Sequence, residues 1–252
     1  MIGPHLSPLP QGEEAGFAAG EGSVRLFASL NVYRDVDFRS AAMNMAVDEA
    51  LLEVAIVPSI RFYRWDHPAL SFGYFGKFAE VAEYRNEREL VRRWTGGGIV
   101  FHGEDLTYSI IIPSTDRAFA ESSTAIYEKV HRALCNAFAK NGHAAELAAV
   151  AAAYDRRDPA LIERRYSNCF ENPVRADVML NGQKVAGAAQ RRTRRGLLHQ
   201  GSIQQAPDSL VGIFGLELSS ACRRKPLDPA LLARAEEIAE QKYGSSAWLQ
   251  RR

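Results

Sequence analysis

Apolar residues recur along the chain in patterns that predict short strands, three amphipathic helices and one short helix. Ser40 is placed to cap a helix through about Val54, with Met43, Val47, Ala50, Leu51 and Val54 on one face. Ile126, Val130, Leu134 and Phe138 follow one another at helical spacing and make Ser122 to Lys140 the clearest helix, with Gly142 placed to end it. Leu231, Leu232, Ala235, Ile238 and Ala239 give a helix over Asp228 to Lys242, followed by Trp248, and a short helix falls near Phe78 to Tyr84. Strands are predicted over Ser23 to Leu30, Ile60 to Trp65, Ala69 to Gly73, Glu89 to Arg93, Ile99 to Phe101 and Leu106 to Ile112. Pro68 separates the second from the third and Pro113 ends the last. Arg175 to Leu180 and Gln183 to Ala189 flank Asn181-Gly182, a strong hairpin signal, and Leu197 to Gln204 returns as a further strand. Residues 143 to 172 show no firm period and read as a long loop; residues 1 to 22 read as a flexible tail. The sum is an α/β (α+β) fold with mixed or antiparallel sheets flanked by helices, in one domain over residues 23 to 252.

Composition narrows the function classes. The 252 residues, 46% of them hydrophobic, suffice for a full core, and a net charge of +1 argues against a general nucleic-acid binder. No apolar run reaches the ~18 residues of a membrane span, and the N-terminus lacks a basic-then-apolar signal pattern, so a cytoplasmic protein with no membrane partner is expected. Cys135, Cys169 and Cys222 are odd in number and widely spaced, which indicates neither a disulfide framework nor a metal site. Cys135 sits in a helical pattern and reads as a core residue, whereas Cys222 precedes Arg223-Arg224-Lys225, which could lower its pKa.

Two stretches carry candidate chemistry. Arg92-Arg93-Trp94-Thr95-Gly96-Gly97-Gly98-Ile99-Val100-Phe101-His102 joins two strands through three glycines, which lose entropy on folding and pack no side chain. Close approach of a ligand to bare backbone would explain them, as would a bulge that turns a sheet. No Gly-Lys-Ser/Thr follows and no GxGxxG is present, so neither nucleotide fingerprint applies. In Gly182-Gln183-Lys184-Val185-Ala186-Gly187-Ala188-Ala189-Gln190-Arg191, a single lysine stands on an apolar strand with Gly187 clearing space beside it. An ammonium aimed into a pocket can hydrogen-bond a carbonyl oxygen and stabilise charge developing on it; an exposed strand lysine is the plainer alternative.

The stretch from Arg92 to His102 resembles the R-R-x-[ST]-G-G-G-x-V-[FY]-H signature of the lipoate–protein ligase and octanoyltransferase family, whose catalytic domain is shared with biotin protein ligases. Ala42 to Leu51 resembles that family's first helix, N-M-A-x-D-E-A-L, with Asp48 and Glu49 read as a solvated face. Ser71-Phe72-Gly73-Tyr74-Phe75 resembles a segment lining the acyl pocket, with Phe75 where a polar residue is usual and the aromatics otherwise read as core. Gly182 to Arg191 resembles G-x-K-[IV]-x-G-[SA]-A-x-R/Q. His199-Gln200-Gly201 departs from the usual Q-H-G or H-H-G; the histidine stands one position early, on the other strand face, while Gly201 and Ser202 still match. The resemblance covers about residues 25 to 205. It implies substrate contacts from Ser71, Gly73, Arg92, Arg93, Thr95, Gly96, Gly97, Gly98, His102, Gly187, Ala188, Gly201 and Ser202, and a catalytic Lys184.

Members of this family divide by how they activate the acyl group. Ligases use ATP and Mg to make an acyl-adenylate, whereas octanoyltransferases take octanoate from acyl carrier protein through a cysteine thioester and require no cofactor. Cys169, in Ser167-Asn168-Cys169-Phe170-Glu171-Asn172-Pro173, resembles the C-F-x-x-P context of one octanoyltransferase class, which implies Cys169 as nucleophile; an inert loop thiol is the alternative. Thiolate attack on a thioester is nearly isoenergetic and needs no ATP. No C-terminal accessory domain of the kind many ligases append is expected past Asp228, which favours a transferase, although some ligases keep that domain on a separate polypeptide. The expected activity is octanoyl or lipoyl transfer from octanoyl acyl carrier protein to a lysine of a lipoyl domain or glycine cleavage H protein. Arg191, Arg192, Arg194 and Arg195 suit an acidic partner or simply a solvated turn. An ATP-dependent lipoate or biotin ligase and a non-catalytic acyl-carrier-binding relative are the alternatives.

Overall fold

In a computed structural model, which describes residues 25–149 and 173–251, the chain runs through eleven strands. In order, the elements are β1 (Leu30–Arg34), α1 (Ala41–Val54), β2 (Ser59–Tyr63), β3 (Ala69–Phe72), β4 (Glu89–Arg92), β5 (Ile99–His102), β6 (Leu106–Pro113) and α2 (Ser123–Lys140). Then come β7 (Ala145–Leu147), β8 (Val178–Leu180), β9 (Gln183–Arg192), β10 (Gly196–Ile203), α3 (Leu210–Leu218), β11 (Cys222–Lys225), α4 (Pro229–Ile238) and α5 (Ser246–Leu249). Eight strands form a mixed sheet in the order β11-β1-β2-β6-β10-β9-β8-β7; β4-β3-β5 form a small second sheet.

Strand β6 is buried at every position, as a central strand with helices on both faces must be. Its side chains alternate between two cores. Tyr108, Ile110 and Ile112 join Val130, Leu134 and Phe138 of α2 and Phe214 of α3, while Ile111 joins Leu198, Leu51 of α1 and Ile238 of α4. Polar caps start the helices: Ser40 Oγ accepts from Met43 N–H, Ser122 Oγ from Ala125 N–H and Asp228 Oδ1 from Ala230 N–H. The turn between β8 and β9 places Asn181 and Gly182 at φ 50° and 77°, the pair of positive values that a two-residue hairpin requires.

Several expectations are corrected. Among the described residues the first strand is Leu30–Arg34, and residues 25–29 of the expected Ser23 to Leu30 strand are not in a strand. Leu26 and Phe27 are buried without strand pairing, and Phe27 N–H is taken by the Leu218 carbonyl at the end of α3. Helix α1 buries Val47, Ala50 and Leu51 of its expected face, but Val54 is exposed, and Asp48, expected in solvent, is fully buried against the sheet. Glu49 is mostly covered too, bonded to Lys242 and Tyr243. Phe75 is exposed rather than core. The helix from Asp228 splits into α4 and a π-helical turn, Ala239–Tyr243. Four elements went unread: β7 inside the expected loop, α3, whose sequence is apolar nearly all round, β11, a charged edge strand parallel to β1, and the single turn α5. Burial raises the Cys222 thiol pKa and outweighs the lowering influence of Arg25, opposite to the expected direction. Cys135 is buried as expected.

Candidate active site

The glycine stretch forms a loop whose carbonyls are gathered by one side chain. Arg93 donates to the Gly96 carbonyl at 3.1 Å and the Gly98 carbonyl at 2.8 Å, and to Ser71 Oγ at 2.6 Å. Ser71 in turn meets His102 Nε2 at 2.6 Å, and His102 Nδ1 meets Asp105 at 2.8 Å. Asp105 also accepts from Thr107, Ser202 and Gly103 N–H. Burial alone would raise the Asp105 pKa, but His102 beside it, the Ser202 hydroxyl and the Gly103 N–H hold it down at about 2. The result is a buried line Asp105–His102–Ser71–Arg93 ending on the loop. From the other side Thr95 donates to Gln200 Oε1, Gln200 donates to Asp48, and Asp48 accepts from Arg61, Tyr63 and Ser109 as well. A carboxylate buried this deeply needs such a set of donors.

The glycines differ in what they do. A Cβ at Gly73 would lie 2.1 Å from the Gly97 carbonyl oxygen, so Gly73 is where the small sheet packs against the loop. Gly97 has φ +86° and faces Ala189 of β9. Gly96 borders open space: a Cβ there would meet nothing within 4 Å. Its bareness is not demanded by packing, and approach of a ligand to backbone accounts for it. Because the C=O and N–H of one trans peptide point in opposite directions, the grip of Arg93 on the Gly96 carbonyl turns the Gly97 N–H away from Arg93.

Lys184 stands one strand away. Its ammonium pairs with Asp177 at 2.8 Å, with side-chain exposures of 6% and 0%. Met179 pairs with Lys184 and Val178 with Ala186, so Val185 is an extra, bulged residue. The bulge brings Lys184 over Gly187, where a Cβ would lie 2.7 Å from Lys184 Cε and 3.3 Å from Asp177 Oδ1. Asp177 also accepts from Tyr127 OH and Val174 N–H, and Ala188 N–H donates to Tyr127. Gly187 and Ala188 pair with Ser202 and Gly201 on β10, and Ser202 reaches Asp105; the lysine cluster and the glycine loop thus share two strands.

The remaining predicted positions fall as follows. Arg92 donates to five carbonyls, those of Tyr74, Gly76, Trp248, Leu249 and Arg251, and so ties the small sheet to α5. Gly201 leaves room for the Tyr108 ring, 2.4 Å from where a Cβ would stand. His199 is fully buried and meets Tyr108 and Gln190. Arg191 lies over Tyr74 and Trp94, Arg192 over Phe119, and Arg195 pairs with Glu53 at 3.7 Å. Cys169 lies outside the described residues. Sequence reading missed Asp105, Asp177, Tyr127, His131 and Gln200. Asp177 had a visible signal, a lone carboxylate within an expected strand, whereas Asp105 follows Glu104 and had none. Among the described residues, no group of three His, Cys, Asp or Glu could hold a metal ion, and no helix is long and apolar enough to cross a membrane.

Burial holds His131 down at about 4 and His199 well below the usual histidine value. Both are neutral when folded and titrate near 6.5 when unfolded, so the unfolded chain takes up their protons first. Stability is therefore complete above about pH 6.5 and falls toward pH 4, by up to about 1.4 kcal/mol per pH unit for each ring. Asp105 adds a loss in a lower window, from about pH 4 to 2. Urea unfolding across pH 4 to 8 checks this; a flat profile between 6.5 and 5 would contradict neutral buried rings.

The family model described as the lipoyl protein ligase A/B catalytic domain matches residues 40–218. An octanoyltransferase LipM of Macrococcus caseolyticus is 36% identical over 206 residues, 78% of this chain and 74% of its own length. The LipM octanoyltransferase of Brevibacillus brevis is 37% identical over 172 residues, 65% of this chain and 62% of its own length. The chain thus spans roughly three fifths to three quarters of these relatives. Among solved structures, a T. acidophilum protein described as a lipoate protein ligase, with bound lipoic acid, superposes with a TM-score of 0.68 at 21% identity, covering 89% of this chain and 99% of that one. A lipoate-protein ligase A bound with ATP gives 0.67 at 20% identity, covering 89% and 98%. These structural likenesses bear on the fold, which is the expected mixed α/β arrangement with helices flanking the sheets.

Proposed function

Because this chain belongs to the lipoyl protein ligase A/B catalytic domain family, we propose that it moves an octanoyl group from a carrier-protein thioester, through Cys169, to a lysine of a lipoyl-domain protein. The observation that carries this reading is the buried Lys184 ammonium, fixed by Asp177 over a bare Gly187 and one strand pair from the glycine loop. The relatives named octanoyltransferase support it further.

In the first half-reaction the Cys169 thiolate attacks the octanoyl carbonyl. The carbonyl oxygen takes the negative charge, the bond to the carrier sulfur breaks, and the carrier thiol leaves with a proton. In the second, the neutral ε-amine of the acceptor lysine attacks the octanoyl-Cys169 carbonyl, an amide forms, the amine proton is lost and the Cys169 thiol is returned. Lys184 holds the charged oxygen in both steps, a task for a cation fixed before the reaction begins. The glycine loop presents backbone to the acyl donor at Gly96. An acidic carrier or acceptor docks on the basic side chains from Arg191 to Arg195. Neither step consumes ATP or needs Mg.

Incubation with octanoyl acyl carrier protein and a lipoyl domain, without ATP or Mg, is the test. Mass spectrometry is expected to find the acceptor lysine octanoylated. Modification that appears only with free octanoate or lipoate, ATP and Mg would overturn the proposal in favour of an ATP-dependent ligase.

A further inference from the structure

We propose that a buried chain of hydrogen bonds, Gln190 to His199 to Tyr108 to His131 to the Ala176 carbonyl, is a positioning device for Lys184. The inference rests on the reading of Lys184 given above. His131 Nδ1 lies 2.6 Å from the Ala176 carbonyl oxygen and its Nε2 3.2 Å from Tyr108 OH. Tyr108 OH lies 3.2 Å from His199 Nε2, and His199 Nδ1 lies 2.9 Å from the Gln190 amide nitrogen. A carbonyl only accepts, so His131 carries its proton on Nδ1 and accepts from Tyr108 on Nε2. Tyr108 then accepts from His199 Nε2–H, which leaves His199 Nδ1 to accept from Gln190. Both nitrogens of each ring and the Tyr108 hydroxyl are used, and all four bonds run one way.

The line ends on a strained residue. Ala176 has φ +65°, a left-handed conformation that alanine adopts at a cost. The next residue is Asp177, whose carboxylate holds Lys184. Three buried polar side chains, His131, Tyr108 and His199, are thus spent on one carbonyl whose orientation decides where Asp177 points. Their partners tie α2, β6, β9 and β10 to the segment ahead of β8, so the lysine is located against the centre of the sheet.

The test compares His131→Leu, which leaves the Ala176 carbonyl without its donor, with His131→Asn, whose amide nitrogen stands near the place of Nδ1. Each is made with and without Ala176→Gly, and kcat and KM for octanoyl transfer are measured on variants shown by circular dichroism to be folded. His131→Leu is expected to lose about 30-fold in kcat with little change in KM, and His131→Asn to stay within about threefold. Ala176→Gly is expected to return about fivefold to His131→Leu, because glycine adopts the same φ without penalty. Equal loss in both His131 variants, or no gain from Ala176→Gly, would overturn the proposal. Nitrogen-15 spectra of the unmodified protein give a second reading: the Nδ1–H tautomer is expected for His131 and Nε2–H for His199, and the reverse would also overturn it. A Lys184→Ala control separates the two levels. If that variant is active, the role of Lys184 fails; if it is inactive while His131→Leu is fully active, only the positioning device fails.

Discussion

Replacing Lys184 with methionine is expected to lower the rate of octanoyl transfer by about 10²–10³-fold, the range seen when one preorganised oxyanion donor is removed. The same change takes the ammonium away from Asp177, which is fully buried, so stability should fall by about 3 kcal/mol, as when one partner of a buried ion pair is lost. The two effects separate in the double variant Lys184→Met, Asp177→Asn. With no buried charge left, stability should recover in part, since Tyr127 can still bond the side chain at position 177, while activity stays low. Recovery of activity together with stability would mean that Lys184 serves the fold alone. Denaturant unfolding and initial-rate measurements on the three proteins decide the matter.

Gly73→Ala is the second large effect. Its Cβ would stand 2.1 Å from the Gly97 carbonyl oxygen and 2.7 Å from the Gly96 carbonyl carbon. These are backbone atoms that no side-chain rotation can relieve, so the loop must shift. A displacement near 1 Å at a binding loop costs about 100-fold in kcat/KM, and that loss is expected here. Gly96→Ala is the contrast, because its Cβ would meet nothing within 4 Å. The melting temperature should stay as it is while KM rises, since only an arriving ligand would meet the new methyl group. An unchanged KM for Gly96→Ala would show that the ligand does not approach the loop from that side.

What the chain revealed in advance follows from the range of each signal. Caps, the Asn181-Gly182 turn and the spacing along α2 are local, and each stands where its residues placed it. The clearance at Gly187 was legible in kind but not in geometry: strict alternation puts residues 184 and 187 on opposite faces, and only the bulge at Val185 brings them together. Asp48 was misread because its donors come from other elements, Arg61 and Tyr63 on β2, Ser109 on β6 and Gln200 on β10; on its own helix it looks like any polar position. Tyr127 and His131 escaped for the same reason, since their partners Asp177, Tyr108 and Ala176 lie far away in sequence. His199 shows the converse. Its shift by one residue was plain, and the strand pleat carries the consequence: His199 turns to Tyr108, and Gln200 turns to Asp48 and Thr95 on the opposite face.

The acyl-enzyme is the central claim, and intact mass reports on it directly. The protein is incubated with octanoyl acyl carrier protein alone, beside a Cys169→Ala control. A single octanoyl adduct, released by hydroxylamine as a thioester is and missing from the control, is the predicted result. An adduct that persists in Cys169→Ala, or no adduct with the unmodified protein under conditions where the acceptor domain is octanoylated, would contradict transfer through Cys169.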